Sequence, residues 1–185
     1  MKQLHNLKNM RVYLVGAMDR VPDGGVGWRN SITPHLLEFG LKVLNPCSSI
    51  KNIEENENSR KTIEQYKKLG QYEKIKQQFS IIRNNDLRCV DISDFLICHI
   101  DLEIHACGSY EEIATANRQK KPILVVCKQG KDQAPNWLFF MLPHEHIFSN
   151  VEDLLHYLKK VNTHKDKQNL SRWFFLKDDQ SAITR

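Results

Sequence analysis

The sequence predicts an α/β protein: a single doubly wound, mostly parallel five-stranded sheet with helices on both faces. Three observations lead there. Short apolar runs alternate with helically spaced segments along the chain. The first of these units reads strand, glycine-rich loop, helix, strand, which opens a βαβ arrangement. The run "FLICHI" is apolar almost throughout, as a central strand covered on both sides must be.

The elements follow in order. "RVYLVGAM" gives a buried strand over Arg11–Val15, and "DRVPDGGVG" is the loop after it. "WRNSITPHLLEFG" carries Ile32, Leu36 and Leu37 at helical spacing and closes on Gly40, a natural C-cap. "LKVLNP" is a second strand stopped by Pro46. Residues 48–70 are polar and without a clean period, a solvent-facing excursion that is partly helical. The next stretch places Ile75, Phe79, Ile82, Leu87 and Val90 on one helical face, with a break expected near Asn84. "FLICHI" is the third strand, a helix runs from Ser109 to about Gln119, and "PILVVC" is the fourth strand. "HIF" is a short fifth strand, and "NVEDLLHYLKKV" a last amphipathic helix with Asn150 as N-cap. The boundaries expected are a domain over 1–161, variable over 48–79, and a tail over 162–185 in which "RWFFL" docks on the body or on a partner. Rossmann-like and flavodoxin-like folds share this pattern.

The bulk numbers narrow the class. The chain has 185 residues, 41% of them apolar and 26% charged, which is globular rather than disordered composition. No run approaches the roughly 18 apolar residues of a membrane span. Five cysteines, an odd number without a CxxC, indicate a reducing, cytoplasmic setting rather than a disulfide framework or a zinc site. A formal charge of +5 with scattered basic residues does not argue for a nucleic-acid polymer as partner. The pair His144 and His146, without further ligands at metal spacing, predicts no metal, and nothing implies a cofactor.

In a parallel α/β sheet, ligands bind beyond the carboxyl ends of the strands. Three segments lie there: Gly16–Arg29, Asp101–Glu112 and Cys127–Trp137. The glycine-rich loop opens a helix and so suits an anion, although both GxGxxG and the P-loop signature are absent. Trp28 could cover a base and Arg29 hold a phosphate or carboxylate; core packing and a solvated arginine are the bland alternative. Glu111 and Glu112 follow Ser109, a fair N-cap, and acids there favour the positive end of the helix dipole. Neighbours on a helix point about 100° apart, so the two acids cannot share an environment. Glu112 is the one at the edge of the packed face, and Glu111 points outward. Asp94 reads as an ordinary turn acid, whereas Asp86, within "RNND", is awkward for a helix interior.

Taken in order, "VYLVGAM", "GWRNSITPHLLEFGLKVLNP", "NNDLRCVDISDFLICHI" and "GSYEEIATANRQKKPILVV" resemble the nucleoside 2-deoxyribosyltransferase family, including its 2'-deoxynucleoside 5'-phosphate N-hydrolases, over about residues 11–160. The resemblance implies an enzyme that breaks an N-glycosidic bond of a nucleoside or nucleotide and passes the sugar to another base or to water. It makes Glu112 the nucleophile, four residues after Gly108, with Tyr13 orienting it and Asp86 as proton donor near the base. The substrate contacts expected beside these are Gly16, Met18, Trp28, Arg29, Asp94, Gly108 and Ser109. It also implies a homodimer or higher homo-oligomer, with Asn136 matching a residue that reaches a neighbour's pocket. Ahead of the glycine the family carries an aspartate or a serine that reads sugar or phosphate; this chain has Ala106 and Cys107. That departure leaves two other readings: a nucleotide-binding module without catalysis, or a glycohydrolase of NAD or nucleotide-sugars.

Overall fold

A computed structural model describes residues 5–49, 62–164 and 170–177. Five strands form one sheet: β1 (Arg11–Gly16), β2 (Lys42–Leu44), β3 (Phe95–Ile100), β4 (Ile123–Cys127) and β5 (Ile147–Phe148). Their order is β2-β1-β3-β4-β5, and every pairing is parallel. The expectation of a mostly parallel sheet therefore becomes an entirely parallel one.

The helices are α1 (Val26–Glu38), α2 (residues 62–68), α3 (Tyr72–Ile92), α4 (Cys107–Arg118), α5 (Asn136–Met141) and α6 (Val151–Thr163). Side chains alternate across each strand, and the two faces build two cores. Val12, Leu14, Phe95 and Ile97 point to the layer of α1 and α6. Tyr13, Val15, Leu96 and Cys98 point to the layer of α3, α4 and α5.

Local chemistry fixes the ends. Gly40, at φ 76°, closes α1: its N–H donates to Leu37 O at 2.9 Å, and the Leu41 N–H returns to Leu36 O at 3.2 Å. Asn150 caps α6 by accepting from the Asp153 N–H at 2.8 Å. The segment Leu170–Lys177 packs on the body rather than standing free. Trp173 is fully buried in the α1/α6 layer, 5.0 Å from Phe95 between ring centroids.

Two expectations about helices change. α3 runs unbroken through Asn84, so Asp86 lies inside a regular 21-residue helix. α4 begins at Cys107 with Ala106 at the N-cap and no side-chain cap, so Ser109 is a helical residue rather than the cap. Glu111 and Glu112 then fall in the second turn, beyond the reach of the dipole argument made for a first turn. Of the polar excursion, residues 50–61 lie outside the described residues. No described helix is long and apolar enough to cross a membrane.

Candidate active site

The strand order reverses between β1 and β3, and the crevice outside their carboxyl ends is where this topology places a ligand. A cavity of about 660 Å³ opens there, a size that suits a small-molecule site. Its walls come from the end of β1, the glycine-rich loop, α3 and the first turns of α4.

Tyr13 and Glu112 meet at its base. The Tyr13 hydroxyl donates to Glu112 Oε1 at 2.6 Å, and both residues are buried, at 1% and 8% exposure. Burial pushes the Glu112 carboxyl up to about 7, the Tyr13 hydrogen bond opposes that, and the nearby Asp86 adds to it. Tyr13 itself is held far above its ordinary range by burial and by Glu112, so the phenol stays a donor. Asp86 faces the same hydroxyl from α3, and burial raises it too. Two carboxyls around one phenol cannot both ionise easily. The Tyr13 hydroxyl favours the ionised form of both carboxyls while burial opposes it, so one proton is shared across the pair.

Glu111 does something else. Its carboxylate takes both Nε and Nη2 of Arg83, across the mouth between α4 and α3. It is therefore ion-paired at the rim rather than simply solvated, and this pair holds its carboxyl below the usual range. Arg83 stands one turn before Asp86, so one ion pair and one acid pair stack in register along the two helices.

The glycine-rich loop departs most from expectation. Its N–H groups are already engaged: Gly25 and Gly27 donate to the two oxygens of Asp23, at 2.9 and 2.7 Å. Arg29 is not solvated, and its guanidinium is turned onto the backbone. It is fully buried, and its Nε, Nη1 and Nη2 donate to the carbonyls of Leu14, Gly25 and Gly16 at 3.3, 2.8 and 2.9 Å.

Tyr13, Gly16, Met18, Arg29, Asp86, Gly108, Ser109 and Glu112 all line the cavity. Three further candidates do not. Trp28 stacks on His99 at 5.2 Å, packed against the α1/α6 core. Asp94 sits at the opposite, amino end of β3, where its Oδ2 accepts from the Arg11 N–H at 2.6 Å. Asn136 is exposed at the start of α5. Of the two histidines set aside as metal ligands, His146 is buried against Tyr157 and His144 is exposed beside Glu145.

Sequence reasoning missed Asp23 and Arg83. An Asp two residues before the glycine that precedes a helix is a signal for the first. An arginine three residues before an acid on one helix face is a signal for the second.

No protein-family model and no curated protein matches the sequence. Solved structures do. A 2-deoxyribosyltransferase from the psychrotolerant bacterium Bacillus psychrosaccharolyticus superposes with a TM-score of 0.53 at 14% identity, over 80% of this chain and 91% of that one. The fold is that of a 2-deoxyribosyltransferase. Two further structures superpose more loosely. A 2-desoxiribosyltransferase from Leishmania mexicana gives 0.44 at 17% identity, over 65% of this chain and 66% of its own. A CMP N-glycosidase from Clostridium botulinum gives 0.46 at 15% identity, over 80% and 98%.

Proposed function

We propose that this chain cleaves the N-glycosidic bond of a nucleoside or nucleotide and delivers the glycosyl group to another base or to water. The observation that carries this is the buried Tyr13–Glu112 hydrogen bond with Asp86 beside it in one cavity. The fold shared with a 2-deoxyribosyltransferase supports it.

The chemistry follows from the charges. Breaking the bond builds positive charge on the anomeric carbon, as in glycoside hydrolysis. The Glu112 carboxylate attacks that carbon, forming a glycosyl ester as the carbon–nitrogen bond breaks. The electron pair leaves with the base, and Asp86 supplies the proton that makes the base a neutral leaving group. Tyr13 keeps the Glu112 oxygen aimed and withholds its own proton, because its pKa is too high to surrender it. A second base or water then attacks the same carbon and gives its proton to the Asp86 carboxylate as the ester bond breaks, which restores both acids.

Incubating the protein with a panel of nucleosides and 5'-monophosphates, with and without an acceptor base, tests this. Base release that Glu112→Gln reduces by about 10⁴-fold or more is expected. Release at the wild-type rate in that variant removes Glu112 from the chemistry, and tight binding of a nucleotide without turnover points to a binding module. On the same reading Asn136, exposed beside Trp137 and Phe140, belongs to a subunit contact. A monomer by light scattering would remove that role.

A further inference from the structure

Among the described residues, the buried set holds one guanidinium, Arg29, and one carboxylate, Glu112. They line the same cavity, yet no acid forms a salt bridge with Arg29 among the described residues. A fully buried cation without an ionic partner is costly unless dipoles and a nearby negative charge offset it. The dipoles are the three carbonyls it binds at the end of β1 and in the glycine-rich loop. The negative charge is that of the acid pair.

We propose that Arg29 is a positioning residue for the acid pair: its buried guanidinium holds one negative charge on Glu112 and Asp86 while its bonds to Leu14, Gly16 and Gly25 fix the cavity floor beside them. With one charge on the pair and one on Arg29, the buried site is neutral. A second negative charge would lack a counter-ion, and a fully protonated pair would leave Arg29 without one. The pair therefore holds one proton between its two carboxyls, the proton count that the proposed reaction needs.

The other groups around the pair do not supply this charge: the cations Arg20, Lys76 and Arg83 that also line the cavity are exposed. Tyr13 from β1 is neutral and donates. Cys89 from α3 and Cys98 from β3 are thiols that burial pushes up, and Cys47, beside Arg29, is raised likewise. Glu111 is matched by Arg83 at the rim. Charge is thus what Arg29 brings to the pair, from a fully buried guanidinium whose three nitrogens each bind a carbonyl.

The test is a titration of Glu112 and Asp86 in the unliganded protein by carboxyl carbon NMR, assigned with Glu112→Gln and Asp86→Asn. Arg29→Gln, checked for folding by thermal melt, is expected to move the pH at which the pair gains its charge upward by about one unit, tenfold in the ionisation constant. The acid limb of the pH–rate profile moves with it. Arg29→Lys keeps the charge but not the three carbonyl bonds, so it retains the midpoint and loses kcat. A folded Arg29→Gln protein with an unshifted titration overturns the proposal. If Arg29→Gln does not fold, a full-unit shift in Arg29→Lys does so instead. The inference rests on the glycosidic reading only for its rate arm. A protein that releases no base from any substrate defeats that reading and leaves the titration standing.

Discussion

Two tyrosine hydroxyls organise the two sides of the sheet, and they do opposite things. Tyr13 stands in the α3/α4 layer between Glu112 and Asp86 and faces a cavity. Tyr157 stands in the α6 layer and joins His146 to Trp173. Indole can only donate, so Trp173 Nε1 gives its proton to the Tyr157 oxygen at 2.9 Å, and Tyr157 passes its own to His146 Nε2 at 2.8 Å. That leaves a neutral imidazole with its proton on Nδ1. Burial holds His146 down at about 4, as it holds Glu112 up at about 7. The same desolvation thus yields a sealed lock in one layer and a carboxyl poised near neutrality in the other. What differs is access: the acid cluster opens on a space that a substrate can enter, whereas His146 and Trp173 are buried.

Substitutions can break that comparison, and after Glu112→Gln the largest effect is expected of Asp86→Asn. Base release should fall about 10²- to 10⁴-fold, and less for a substrate whose base leaves without protonation; steady-state kinetics on both substrates checks this. An equal loss on both would show that Asp86 is not the proton donor. On the sealed side, Trp173→Ala should remove about 3–5 kcal/mol of stability in chemical denaturation. Its rate per folded molecule, below the transition, should stay at the wild-type value.

The smallest effect sharpens the contrast through pH. Glu112 titrates at about 7 when folded, above its ordinary 4.5. The folded state therefore binds more protons in that window, and stability falls as pH rises through it. Glu112→Gln should be more stable than wild type at pH 8 by about 3 kcal/mol, with the gain vanishing below pH 4.5. His146 has the opposite sign. Its folded value lies at about 4, below the ordinary 6.5, so stability is lost as pH falls from 6.5 to 4. Denaturation midpoints across pH, with His146→Phe flattening the acid side and Glu112→Gln the alkaline side, read both. Matching pH profiles for the two variants would show that the clusters are not separately titrating.

The sheet was legible because continuous apolar runs such as "FLICHI" have few alternatives once glycines and prolines bound them. Glu112 was legible from the helix angle that separates it from Glu111. Asp86 was noticed for a wrong reason: "RNND" suggested a broken helix, but packing of Val90 and the face around it carries α3 straight through. Arg29 was not legible. A sequence shows that an arginine follows a glycine-rich loop, but not that three carbonyls converge where its guanidinium ends. Trp28 and Asp94 were misplaced for a related reason. Sequence proximity to a strand end does not say to which face or which end a side chain turns.

Trp173 has a consequence for the order in which the molecule is made. Every member of the acid cluster has been synthesised by Glu112, whereas the layer beneath Phe95 stays open until Trp173 has left the ribosome. The side chains of the acid cluster thus all leave the ribosome before the residue that closes the opposite layer, which is translated some sixty codons later.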